Sequence, residues 1–444
     1  MKKDMTVGTE WKAIALFTLP IMGSNFLQVL YNVVDSVVVG QFVGTTALGA
    51  VGLTSSMVWL LVSVCTGLGA GTGIAVSQLF GAKKEREIKE VIASAYSIAI
   101  VLGVLLTVLM LLLSKPVIFD LLQAPPSMRD MSLTYYRIYC LGILVQLVYN
   151  VAYGILRAHG DSKGALFFLF ISAVLNVVLD CIFVIVLKWN VAGAAIATVI
   201  AQTGCAVAAL IYLKKLFPDL MPSKKFLYAW KKCSQMITRL SVPIVLQNMV
   251  SALGFILLQR LVNSFGDYSI EGYTAMQKIE QIAHIPSTSL NVTISSFVGQ
   301  NIGAKKLDRV QRGYKASILM GVVTSVLLAI FVIAFDDQLL GIFGVAGESL
   351  RRGREHLDLL MVCIWISTIT NITCGFLQGA GDVKIPAVSG FVNLGIRLGL
   401  SFLLATTVVD FRCFYVSIFP SWAVACLFVV LRYRSGKWKN YSIA

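Results

Sequence analysis

Gln78-Leu79-Phe80-Gly81-Ala82-Lys83-Lys84 recurs as Gln300-Asn301-Ile302-Gly303-Ala304-Lys305-Lys306, 222 positions later. Gly154-Ile155-Leu156-Arg157-Ala158-His159-Gly160-Asp161 recurs as Gly375-Phe376-Leu377-Gln378-Gly379-Ala380-Gly381-Asp382, 221 positions later. Pro20 is answered by Pro243 after 223. Three landmarks at nearly one spacing mark an internal duplication, with halves at 1–222 and 223–444. The GAKK and GD signals follow apolar runs. Their expected work is to stop helices tightly and hold basic charge on one side, rather than to touch a substrate.

The runs between the landmarks read as membrane spans. Hydrophobic residues make up 57% of the 444 and charged residues only 13%, about half the share of a soluble domain. A span needs about 20 apolar residues to cross roughly 30 Å of hydrocarbon. Twelve spans are expected, at about 12–38, 46–80, 87–113, 130–158, 164–187, 190–213, 236–264, 269–300, 309–334, 349–379, 384–408 and 412–433. They are too long for strands and lack strand alternation. The 36 glycines suit helices that pack closely in a bilayer. The fold class is therefore an all-α integral membrane protein, two bundles of six helices. Six is even, so both halves enter from one side and are related by a pseudo-two-fold axis along the membrane normal.

Charge gives the orientation. Of the 37 Lys and Arg, 26 lie on one set of connections, including Lys2, Lys3, Lys83, Lys84, Lys224, Lys225, Lys305 and Lys306. Eight lie on the alternate set, among them Arg351, Arg352 and Arg354. The positive-inside rule then puts both termini in the cytoplasm of a cell (inner) membrane protein. The net charge of +15 is spread over these short connections. It forms no soluble basic patch, so nucleic acid is not an expected partner. No cleavable signal is evident; the first apolar run is itself a full span.

The nine cysteines lie mostly inside apolar stretches and form no C-x-x-C pair, and the three histidines are scattered. They read as packing residues rather than metal ligands. There is no H-E-x-x-H or nucleophile–base motif, so an intramembrane enzyme is not expected.

Polar residues inside the spans carry the chemistry. A carboxylate at the bilayer centre costs roughly 2.5–3.5 kcal/mol on insertion scales and needs a partner or a function. Asp35 lies deep in span 1, on a stripe with Asn25, Gln28 and Asn32 and near Tyr31. Asp180 lies deep in span 5, one turn from Asn176. Span 4 offers Gln146 and Asn150, and span 6 offers Thr198 and Gln202. No Lys or Arg stands at that depth in this half, which favours a cation site over a purely structural network. In the second half, span 8 carries Gln277, Glu280, Gln281 and His284, with Lys278 beside them and Pro286 as a kink. Span 7 carries Gln247 and Asn248, span 10 Asn371, and span 11 Asn393 and Arg397. Here both signs occur, so Glu280 is expected to pair with Lys278 or Arg397, in a satisfied network or in the lining of a substrate cavity.

At these residues the chain resembles the multidrug and toxic compound extrusion (MATE) family, in its DinF-like branch. The resemblance covers nearly the whole chain. It rests on Pro20, the Tyr31-Asn32-Val33-Val34-Asp35 segment, Gln78 with Gly81-Ala82-Lys83, Gly160-Asp161, the Asn176-Val177-Val178-Leu179-Asp180 segment and their second-half echoes. It implies export of cationic or amphipathic drugs in exchange for protons or sodium ions. It also implies a cation-coupling site at Asp35, Asn150, Asn176, Asp180 and Thr198. Sodium, held at Asp35, Asn176 and Asp180, is the only metal implied; no other cofactor is. The expected substrate cavity comprises Gln28, Tyr31, Asn32, Gln146, Gln202, Gln247, Gln277, Glu280, Gln281 and His284. The second-half acids of the NorM-like branch are replaced here by amides near Gln247 or Asn248 and at Asn371. The expected partners are small molecules and the bilayer, with the chain acting as a monomer.

Neutralising an ordinary carboxylate at pH 7 costs roughly 4 kcal/mol, and desolvation at membrane depth is of that order. A cation arriving from outside would then switch the first-half acids and release the drug, gaining about 2.3 kcal/mol per 100 mV as it moves inward. Oxygen donors of this kind suit Na⁺ as well as a proton. A flippase of lipid-linked saccharides on the same fold is the alternative; its cavity is expected to be cationic, whereas this first half is acidic. An ion channel would not need duplicated halves with buried carboxylates in one only.

Overall fold

The computed structural model describes residues 4–218, 230–407 and 412–443. The expected division at 222/223 lies outside the described residues, as do Lys2, Lys3, Lys224 and Lys225. Twelve helical spans run in chain order: α1 (Glu10–Phe42), α2 (Thr45–Gly81), α3 (Glu85–Leu112), α4 (Arg129–Leu141 and Ile143–Ala158), α5 (Ser162–Asp180), α6 (Asn190–Leu216), α7 (Trp230–Asn263), α8 (Asp267–Ala283 and Ile285–Gly303), α9 (Leu307–Ala334), α10 (Gly347–Gly379), α11 (Lys384–Thr407) and α12 (Ile418–Arg434). There is no strand among the described residues.

Nine of these helices are long and apolar enough to cross a membrane, and α4, whose segments meet at 46°, makes ten. The other two are α8, where a kink at Pro286 is expected, and α12. α8 breaks at His284 because Pro286 starts a new helical turn, where its missing N–H does no harm. Its polar stripe also lowers its hydropathy. α12 keeps only 17 residues, after the short turn Cys413–Val416.

The duplicated landmarks fold alike. Lys83 and Lys305 both take left-handed backbone, φ 57° and 59°. The Lys84 N–H returns to the Leu79 carbonyl and the Lys306 N–H to that of Asn301, the six-residue closure that ends a helix sharply. Gly160 and Gly381 end α4 and α10 at φ 80° and 91°. Asp161 then caps α5, accepting from the Gly164 N–H at 2.8 Å, while Asp382 accepts from Arg432 Nε at 2.6 Å. Both landmarks thus stop their helices sharply.

Contacts divide the chain into two compact units, Gly23–Val245 with Met1–Asp4, and Met5–Met22 with Leu246–Ala444. The division cuts α1 two residues after Pro20 and α7 two residues after Pro243, 223 positions apart. A proline removes one rung of the helical ladder, and each helix changes packing partners just beyond it.

Inside the first unit, α2 lies directly on α4: a Cβ on Gly69 would strike the Asn150 carbonyl, and one on Gly154 the Gly69 carbonyl. In the second unit, α8 lies on α10 in the same way, with Gly375 against the Asn291 carbonyl and Gly379 against that of Ser295. Small residues let backbones meet where bilayer lipid gives no hydrophobic push. Outward, α3 presents Val101, Leu105 and Val108, and α9 presents Val323, Leu327 and Ile330, all exposed and again 222 apart. This apolar stripe is what acyl chains cover.

The chain start is fastened inside the second unit. Met5 is buried, its N–H donating to Gln300 Oε1 at 2.9 Å. Arg309 donates to the carbonyls of Met5, Val7 and Gly8, and Arg312 meets Glu10 at 2.9 Å.

Candidate cation site

Asp180 ends the regular part of α5, and the next turn, Cys181–Val186, widens to π-helix. Such a turn frees one rung of the ladder and often marks a functional position. Asp180 is fully buried, and neither of its carboxylate oxygens has a hydrogen-bond partner. One turn earlier, Asn176 Nδ2 donates to Thr198 Oγ1 on α6 at 3.4 Å. The Thr198 hydroxyl donates in turn to the Ala194 carbonyl at 3.0 Å. The Asn176 Oδ1 is left buried without a partner. Asp35, half-buried on α1, has a buried Oδ1 in the same condition.

These groups share one electrostatic neighbourhood. The Asp35 and Asp180 carboxylates act on each other, and both act on the phenols of Tyr31 and Tyr135. Neither acid has a Lys, Arg or His within ion-pair range among the described residues. The donor set of two carboxylates, an amide oxygen and a hydroxyl is oxygen only, which is the chemistry a hard cation takes. Buried carboxylate oxygens with no internal partner fit a proton or sodium as cargo.

Asn150 stands apart. Its Nδ2 donates back to the Gln146 carbonyl at 2.8 Å, and among the described residues no hydrogen bond joins it to Asp180. The Gln146 and Gln202 side chains instead meet at the Tyr139 hydroxyl. Gln28 and Asn32 are exposed, and Tyr31 is half-buried. Tyr135 and Tyr139 were not among the expected residues, although their spacing of four on α4 puts both on one face.

In the second unit, the expected pairing of Glu280 with Lys278 or Arg397 does not occur. Lys278 is on the exposed face, two residues along the helix, and Arg397 acts on Glu280 through space without an ion pair among the described residues. Glu280 Oε1 instead lies 3.7 Å from His284 Nε2, and His284 meets the Trp422 ring edge-on at 5.9 Å. Gln277 reaches Tyr273, Gln281 is exposed, and Gln247 Oε1 accepts from Gln378 Nε2 at 3.3 Å.

The family model of MatE matches residues 20–182 and again 243–403, one copy on each half. The chain belongs to the MatE family. Its relatives include the probable multidrug resistance proteins YoeA and YpnP of Bacillus subtilis (strain 168). They are 27% and 28% identical over 98% of this chain and 95% and 97% of their own lengths. A solved structure described as MATE in complex with MaL6 superposes with a TM-score of 0.90 at 22% identity, covering 98% of this chain and 99% of that one. An outward-facing multidrug resistance MATE family transporter gives 0.88 at 22% identity over 98% of each chain. The two matched segments of this MatE chain begin 223 and end 221 positions apart, the same drift that the landmarks show.

Proposed function

We propose that this MatE chain exports cationic or amphipathic small molecules from the cytoplasm, across the cell membrane, in exchange for protons or sodium ions. Asp35 and Asp180 hold the coupling cation, with Asn176 and Thr198 completing the site and Asn150, from α4, as its expected fifth member. The carrying observation is Asp180, a fully buried carboxylate with both oxygens unpartnered. An isolated charge in that position is costly; a bound cation compensates it. The names of the relatives, multidrug resistance and multidrug export proteins, support the cargo class.

The acids face one cation at a time. While it is bound, they are neutralised and their hold on a positively charged drug is weak. Once it leaves toward the cytoplasm, the freed charge attracts the next drug. Both termini lie in the cytoplasm on this reading. In proteoliposomes, efflux of a cationic dye driven by an imposed pH or sodium gradient is expected in the native chain and lost in Asp35→Asn, with weaker binding of the cationic dye. Gradient-driven efflux at the native rate in Asp35→Asn overturns the assignment.

A further inference from the structure

The polar residues inside the second unit are not copies of those in the first. On α5 and α11 the landmarks Asp161 and Asp382 are 221 apart, so Asn176 corresponds to Arg397 and Asp180 to Ser401. On α4 and α10 the same offset takes Tyr135 to His356. On α2 and α8 the offset of 222 takes Val58 to Glu280. On α1 and α7 the offset of 223 takes Asp35 to Leu258. Both first-unit acids have neutral counterparts, and a guanidinium stands where the site amide stands.

Arg397 is 8% exposed, and its Nε is buried without a hydrogen-bond partner. Among the described residues no carboxylate lies in ion-pair range of it. Glu280, 7% exposed, acts on it through space but is engaged by His284 at 3.7 Å. Ser401 is occupied with Ser417 at 2.8 Å. The His356 ring sits between Tyr273 at 5.4 Å and Tyr415 at 5.5 Å, within the fields of Arg397 and Glu280.

A buried guanidinium with an open donor edge is strongly disposed to take an anion. Its planar fork matches a carboxylate with two parallel hydrogen bonds. A single positive charge balances a monoanion; a phosphate near −2 would be left in excess beside Glu280. Glu280 in turn favours a ligand that carries a positive group next to its anion. We propose that the second unit holds a site for the carboxylate of a zwitterionic amphiphile, with Arg397 clasping the carboxylate and Glu280 facing the ligand's cationic group. The site rests on the reading of the chain as a small-molecule exporter, and it names a class of cargo that the acids of the first unit would not select.

The test is fluorescence polarisation on the purified full-length chain with two probes that differ by one group, zwitterionic rhodamine B and its cationic ethyl ester. Arg397→Gln is expected to weaken rhodamine B binding by about tenfold or more, the usual scale for a lost charge-assisted bond. The ester should stay within about twofold, and Arg397→Lys, charged but without the fork, should fall between. Equal shifts for both probes, or none, overturn the site. If Arg397→Gln does not fold, benzoate competition on the native chain decides: displacement of rhodamine B but not of the ester upholds the site, and failure to displace overturns it. If the native chain binds neither dye, the proposed cargo class falls instead. A benzoate-induced rise in melting temperature that Arg397→Lys diminishes then upholds the carboxylate site, and no rise overturns it.

Discussion

The Asn176 amide on α5 and the Thr198 hydroxyl on α6 meet at 3.4 Å, tying together two helices that also carry Asp180 and the Tyr139-linked Gln202. Because Thr198 passes its own proton to the Ala194 carbonyl, its lone pairs face Asn176. The Asn176 carbonyl oxygen is thereby turned away from Thr198, free for a cation. Thr198→Val removes the acceptor and leaves a buried N–H unpaired, at a cost of about 1–2 kcal/mol. Gradient-driven dye efflux is expected to drop roughly five- to tenfold, with expression near native. Unchanged efflux rates would show that this contact does not orient the site.

Asp180→Asn separates coupling from stability. The substitution keeps the shape and removes a buried, partnerless charge, so the protein without bound cation should melt higher, by the equivalent of about 1–3 kcal/mol. Ion-driven efflux should vanish at the same time. A fluorescence-detected melting curve in detergent checks the first half of this expectation. A lower melting temperature would mean that Asp180 has a stabilising partner in the resting protein.

The sequence carried the architecture further than the details of the site. The repeat was legible because its landmarks are loop signals, Gly-Ala-Lys-Lys and Gly-Asp, whose backbone demands are local and identical in both halves. Asp35, Asn176, Asp180 and Thr198 stood out as polar residues at helical spacing in apolar surroundings. Three features were not legible. The π-turn after Asp180 leaves no mark in Cys181–Val186, an ordinary apolar stretch. The break at His284 depends on Pro286 starting a helix rather than bending one. The exchange of packing partners past Pro20 and Pro243 is a tertiary property that a linear reading does not show. The misassigned partner of Glu280 has a similar origin: Lys278 is only two residues away in sequence, but helical geometry turns it about 160° away.

Gly154 should tolerate nothing large. Its Cα meets the Gly69 carbonyl without room for a methyl group, so Gly154→Leu forces α2 and α4 apart and costs about 1–3 kcal/mol or more. Gly375→Leu at the matching contact of α10 with Asn291 should do the same in the second unit. Loss of monodisperse protein on size-exclusion chromatography is the expected readout for both. A stable Gly375→Leu protein would show that the two contacts are not equivalent.

Arg309 holds three carbonyls of the chain start, those of Met5, Val7 and Gly8, and Glu10 adds an ion pair at 3.4 Å. Arg309→Ala should free residues 5–9 while leaving the bundles folded. The destabilisation expected from lost charge-assisted bonds is about 2 kcal/mol. Limited proteolysis followed by mass spectrometry should show cleavage before Glu10 in the variant and protection in the native chain. Equal protection in both would shift the burden to Met5, whose side chain is buried in the same core.

The central claim is that Asp35 and Asp180 take up the coupling cation. It is tested most directly by measuring cation entry driven by dye: vesicles containing the purified chain are loaded with cationic dye, and internal pH and ²²Na⁺ uptake are followed as the dye leaves. The native protein should bring in one of the two cations in proportion to dye exported, and Asp180→Asn should bring in neither. Coupled cation entry at the native rate in Asp180→Asn would contradict the account.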